Sequence, residues 1–199
     1  QELELFRIPS SVSFSAMVCR SCEPFEPMQA HQTVLAHILT TNHLWEQVRG
    51  VGGAYGVSAH IDMLERLCVF SSYRDPRIDG TLNDFRSVLG RIAEDGVDQE
   101  LVDLAIISII SRELKPYYPK DASMIAFRRA LFGITDVFRS DRRAWILGTT
   151  VDDVRNAAKA LLLSMDTYAS SVVIAGQELL EREASTSERM RLESVRLPM

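Results

Sequence analysis

"RGVGGAYGVSAHIDMLERLCVFSSYRDP", residues 49–76, changes its periodicity partway along, and that change sets the architecture. Beyond the glycines, Tyr55, Val57, Ala59, Ile61 and Met63 alternate with Gly56, Ser58, His60 and Asp62, the period-two pattern of a strand. "RLCVFSSY" reads as its hairpin partner, although "MLER" at the turn lacks the glycine or asparagine of a strong tight-turn signal, and "RDP" closes the strand region. Before the strand stand Gly50, Gly52 and Gly53, each costing roughly 0.5–1 kcal/mol relative to alanine in a regular element. One reading is a helix stop followed by a turn into the strand. The other is that Arg49 and Tyr55 are presented together to a ligand, with the glycines giving the backbone its freedom. Tyr55 is also in phase with the apolar side of its strand, as a core tyrosine with a satisfied hydroxyl would be.

Upstream, "SVSFSAMV" sets Val12, Phe14, Ala16 and Val18 on one side and mostly serines on the other, which predicts a half-buried strand with the apolar side inward. After Pro27, Val34, Leu35, Ile38 and Leu39 line a helical face, and Leu44, Trp45 and Val48 predict a second short helix ending near Arg49. Downstream, the chain is mostly helical. Leu82, Phe85, Leu89 and Ile92 recur at helical spacing, and "LVDLAIISII" is apolar enough to predict a helix buried nearly all round. Met124, Phe127 and Leu131 form a stripe that stops at Gly133, Thr135 is placed to cap a helix through Trp145, and Thr150 with Asp153 predicts a capping box. "YASSVVIA" reads as a last strand and "GQELLERE" as a short helix. This order predicts an α+β fold, a mixed β-sheet with helices packed on one face. Residues 1–184 read as a single domain, and 185–199, rich in Glu, Arg and Ser, as a solvated tail.

At 199 residues and 46% hydrophobic, the chain supports a sizeable core. A formal charge of -5 gives no basic field and argues against nucleic acid or an acidic membrane as partner. The apolar run "AIISII" falls far short of the roughly 20 residues of a membrane span. The chain opens on Gln1 with no recognisable targeting segment, which suggests a piece of something longer. Three cysteines do not suggest a disulfide framework, so a reducing compartment, the cytoplasm or an organelle matrix, is expected for a soluble protein.

No metal site is expected in these residues. His31, His37 and His43 are spaced by six, rotating successive side chains about 240° around a helix, so they do not converge on one ion. "HLWEQ" begins an H-x-x-E-H helix, but Gln47 stands where the second histidine would be. Cys19 and Cys22 form a lone C-x-x-C followed by Glu23 and Pro24, which oppose thiolate formation, and Cys68 alone does not complete a zinc knuckle. The glycines precede a strand where a dinucleotide fingerprint would follow one. Arg49 and Tyr55 are left as the best functional pair.

"LWEQVRGVGGAYGVSAHIDMLERLCVFSSYRDP" followed by "TLNDF", then "DLAIISIISRELKPYYPKDAS", "LFGITDVFRSDRRAWILGTTVDDV" and "SSVVIAG", resembles the last domain of the pitrilysin/insulinase family of zinc metallopeptidases, in its presequence-peptidase branch. The resemblance covers nearly the whole chain. It implies a LuxS/MPP-like metallopeptidase domain, the last of about four in a parent whose two halves close around a chamber for short unstructured peptides. It also implies zinc in the full-length enzyme, bound in the first domain and not by these residues, so the fragment alone is expected to be inactive. Its implied partners are peptide substrates and the N-terminal catalytic domains of the same polypeptide, with homodimerisation open to the isolated domain. By position, the arginine and tyrosine that the last domain contributes match Arg49 and Tyr55, with Gly52 and Gly53 giving substrate room to approach. A guanidinium fork and a phenol are donors suited to a peptide carbonyl or its oxyanion. Val57, Ser58 and Ala59 after "AYG" depart from the family's pattern and bear on peptide preference. The alternative is a non-catalytic member that uses the same architecture for assembly or peptide binding.

Overall fold

The computed structural model describes residues 2–186 and 194–196. Its framework is a six-stranded mixed sheet of order β3-β4-β2-β5-β1-β6. The strands are β1 (Glu2–Arg7), β2 (Ser13–Arg20), β3 (Gly56–Asp62), β4 (Leu67–Asp75), β5 (Ser170–Ala175) and β6 (Ser194–Arg196). β1 runs parallel to β5 and β6, whereas β2 pairs antiparallel with both β4 and β5, and β3 with β4. Among the described residues seven α-helices accompany it: α1 (Pro27–Ile38), α2 (Asp79–Asp95), α3 (Gln99–Glu113), α4 (Pro119–Leu131), α5 (Asp136–Leu147), α6 (Val151–Tyr168) and α7 (Gln177–Thr186). α1 and α6 lie against the sheet, and α2, α3 and α5 pack on those two. This is the α+β arrangement expected of the sequence. The "ELELFR" strand β1 is an addition to it. Of residues 185–199, Ser185 and Thr186 close α7 and Ser194–Arg196 pair with β1; the rest of that expected tail lies outside the described residues.

The helices end where their chemistry dictates. Pro27 begins α1, Thr135 accepts from the Phe138 amide at the start of α5, and Thr150 and Asp153 complete the capping box of α6. Gly133, φ 65°, takes the left-handed conformation just beyond α4. α6 buries Val154, Ala157, Ala158, Leu161 and Met165, its alanines letting it sit close to its neighbours. Phe70 of β4 and Phe85 of α2 are fully buried with ring centroids 5.5 Å apart, each worth roughly 1.5–3 kcal/mol in burial. The β3–β4 turn works without glycine because the Asp62 carboxylate accepts from the amides of Leu64 and Glu65, and Arg66 adopts φ 59°.

Two expectations are corrected. β2 turns Ser13, Ser15, Met17 and Cys19 toward the helices, all nearly inaccessible, and leaves Phe14, Ala16 and Val18 half-buried on the opposite face. β2 is flanked by β4 and β5 within the sheet, one of its faces lies against α6, and the small serines on that face admit the helical layer. Ser13 Oγ also donates to the carbonyls of Asp75 and Arg77. The sheet therefore carries an apolar strip, Phe14, Val18, Val69, Val172 and Ile174, on its helix-free face. The second correction is α3, which buries Val102, Ala105 and Ile109 but leaves Leu104 and Ile107 more than half exposed, because no further layer among the described residues covers its outer side.

Candidate functional site

The glycine stretch lies at the end of one long helical rod. α1 continues without a break into π-helical turns at Leu39–His43 and Trp45–Val51, so no separate second helix forms. π-Turns recur at functional positions because the wider turn re-aims side chains. The rod ends in three hydrogen bonds, from the Gly52 amide to the Gln47 carbonyl, Gly53 to Arg49 and Ala54 to Val48, at 3.0–3.1 Å. Gly53 adopts φ 82°, which a side-chain-bearing residue rarely takes. The Tyr55 amide then donates to the Arg74 carbonyl, starting the β3–β4 ladder. The stretch is thus a helix stop and turn, and the same turn carries Arg49 and Tyr55 to one spot.

There the Arg49 guanidinium lies 5.6 Å from the Trp45 ring centroid and 5.8 Å from that of Tyr55, within cation–π range of both. Tyr55 is 65% exposed, which corrects the core-tyrosine reading: β3 begins at Gly56, so Tyr55 escapes the strand's alternation. Its ring stands edge-on to Tyr73, 6.0 Å away, and Tyr73 meets Phe14 edge-on at 5.2 Å. The Arg74 guanidinium is 5.5 Å from the Tyr73 ring, on a backbone held at φ 50°. Two exposed arginines and an aromatic row thus border the apolar strip of the open sheet face.

Beneath the row, Asp75 is completely buried and accepts from Thr81 Oγ1 at 2.7 Å and the Arg77 amide at 2.9 Å. Arg77 pairs with Asp84 at 2.9 Å and lies against the turn, in the space a Cβ on Gly52 would need. Gly53 is open by comparison, with Pro76 Cγ 3.4 Å from a notional Cβ. Sequence reasoning gave no site role to Trp45, Tyr73, Arg74, Asp75 or Arg77. The hairpin register could have found Tyr73, since a turn at 63–66 sets it opposite Gly56.

Among the described residues, no group of three His, Cys, Asp or Glu side chains is placed to hold a metal ion. His43 is half-buried, its Nε2 has no hydrogen-bond partner among the described residues, and burial pushes its pKa down, helped by Arg91. Cys19 and Cys22 do not form a site together. Cys19 faces the core beside Cys68, its partner across β2 and β4, which holds its thiol below the usual range, whereas burial pushes the Cys22 thiol up. Neither residue set suits zinc. No helix among the described residues is long and apolar enough to cross a membrane.

Residues 3–178 match the family model described as PreP C-terminal domain. The chain is 33% identical over 186 residues to the mitochondrial presequence protease of Eremothecium gossypii, covering 92% of this chain and 18% of that protein. It is 26% identical over 186 residues to presequence protease 1, chloroplastic/mitochondrial, of Arabidopsis thaliana, covering 94% and 17%. The chain spans less than a fifth of the length of these curated relatives. Among solved structures, a protease from Helicobacter pylori superposes with TM-score 0.73 at 13% identity, over 87% of this chain and 43% of that one. A putative zinc protease from Bordetella pertussis gives 0.68 at 18% identity, over 84% and 96%. These two likenesses are of fold.

Proposed function

The chain belongs to the presequence-protease C-terminal domain family, and from that premise we propose that it forms one wall of a chamber in which a zinc metalloendopeptidase degrades short unstructured peptides. Arg49 and Tyr55 act on the substrate. The Tyr55 hydroxyl donates to the oxyanion that develops when the scissile carbonyl becomes tetrahedral, and the Arg49 fork holds a neighbouring backbone carbonyl and steadies the Tyr55 ring. Gly53 keeps the backbone low beside them so that an extended peptide can approach, whereas the room at Gly52, expected for substrate, is taken by Arg77. The apolar strip of the open sheet face, with Phe14 and Tyr73 at its head, offers a floor for apolar side chains of the peptide. The observation that carries this reading is the Arg49 guanidinium held 5.8 Å from the centroid of an exposed Tyr55 ring.

In this reading zinc is bound in the N-terminal part of the full-length polypeptide. This domain would be inactive alone and depends on N-terminal catalytic domains of the same chain. Those domains would also cover the exposed apolar residues of α3 and α4, so that the domain produced by itself would pair with a second copy. The three free cysteines fit a reducing compartment, the cytoplasm or an organelle matrix.

The test is the mass and metal content of the native polypeptide that carries these residues. About 100 kDa with close to one zinc per chain is expected, the scale of several domains. A zinc-free protein, or one no larger than 22.4 kDa, would overturn the reading.

A further inference from the structure

At the far end of β3 from Tyr55, a cavity of about 260 Å³ opens beside the β3–β4 turn, lined by residues of α3, α4 and α5. β3 has seven residues, so roughly 20 Å of strand separates this cavity from the glycine turn. Four arginines line it: Arg129 of α4 and Arg139, Arg142 and Arg143 of α5. Glu113, at the end of α3, is the single carboxylate in the lining among the described residues. It binds Arg142 Nη1 and stands 3.7 Å from Arg143 Nε, which is buried and makes no hydrogen bond among the described residues. Arg139 reaches Asp136 one turn back on its own helix at 2.7 Å, but the Asp136 side chain is 92% exposed, so water screens that pair. Arg129 has no carboxylate partner among the described residues.

Four guanidinium groups around one carboxylate repel one another, and in a chain of net charge -5 no general basic surface accounts for the cluster. Guanidinium forks match the paired oxygens of phosphate and carboxylate groups. The rest of the wall is apolar and aromatic, with Tyr117, Ile134 and Phe138. A bare inorganic ion would leave that wall uncovered. We propose that this cavity binds a small organic polyanion, its phosphate or carboxylate oxygens held by the arginine forks and its carbon framework lying against Tyr117 and Phe138.

Titration calorimetry on the native polypeptide at fixed low salt tests this, with ATP as the phosphate probe, citrate as the carboxylate probe and a polyglutamate peptide as a third arm. At least one of the two small probes is expected to bind with Kd below about 1 mM, and the tighter identifies the source of the anion. Arg129→Gln and Arg139→Gln should each weaken that binding about tenfold or more. Without ligand, both variants should melt at the same temperature as the parent or higher, because a like charge has been removed; an ion-pair network serving stability alone would lose Tm instead. Absence of binding by both small probes, binding of polyglutamate alone, or full retention of binding in both variants would overturn the proposal.

Discussion

The Arg77 guanidinium sits in the volume that a Cβ on Gly52 would occupy, so a side chain from beyond the β3–β4 hairpin is part of what fixes the turn's shape. Arg77 is held there by Asp84 on one side and, through its amide, by the buried Asp75 carboxylate on the other. Gly52→Ala should therefore displace Arg77 and press on the Val48 carbonyl, 2.5 Å from the added carbon, at a cost of about 2 kcal/mol. Gly50→Ala meets nothing nearer than 3.7 Å and should be neutral or stabilising by up to about 1 kcal/mol. Denaturant melts of the two variants check the contrast, and equal stability would contradict the packing described.

Tyr55→Phe in the full-length peptidase should lower kcat by about 10²-fold or more while KM stays close to the parent value, since an oxyanion donor acts on the transition state and not on ground-state binding. Tyr55 is exposed, so the variant should fold normally. A parental kcat would remove Tyr55 from the mechanism.

Asp75→Ala strands the Thr81 hydroxyl in a fully buried site and the Arg77 amide in a part-buried one. Losing these hydrogen bonds to a charged acceptor should cost about 3 kcal/mol. A urea midpoint indistinguishable from the parent would show that the carboxylate does not organise the corner.

Acidification should destabilise the fold through two histidines. Burial, with Arg112 beside His37 and Arg91 beside His43, holds both below the ordinary value of 6.5. The unfolded chain then takes up protons before the folded one does, so their contribution is full above about pH 6.5 and is lost as the pH falls through the lowered folded values. Thermal midpoints should drop between pH 7 and 5, and the His37→Gln/His43→Gln double variant should flatten that slope. A parent whose midpoint is constant over this range would refute the argument.

Size-exclusion chromatography of the 199-residue chain should reveal self-association that grows with concentration. Met124, Phe127 and Leu131 of α4 are each more than 60% exposed, and α4 buries none of its residues. Apolar exposure of this kind favours pairing. A strict monomer at high concentration would count against it.

The sequence by itself determined the elements whose signals are local. The alternation in β3 and β4, the Thr135 cap, the Thr150–Asp153 capping box and the glycine at the end of the helical rod all depend on neighbours within a turn or a hairpin, and all stand in the structure. The family and the Arg49–Tyr55 spacing were legible for the same reason. Only the tertiary structure decided which face of β2 is inward, because that depends on what covers each side of a central strand and not on the strand's own pattern. It likewise decided that Tyr55 is exposed, that Arg77 fills the space at Gly52 and that four arginines from two helices share one cavity. These relationships join residues through packing across the fold, and packing leaves no period in the chain from which to read them.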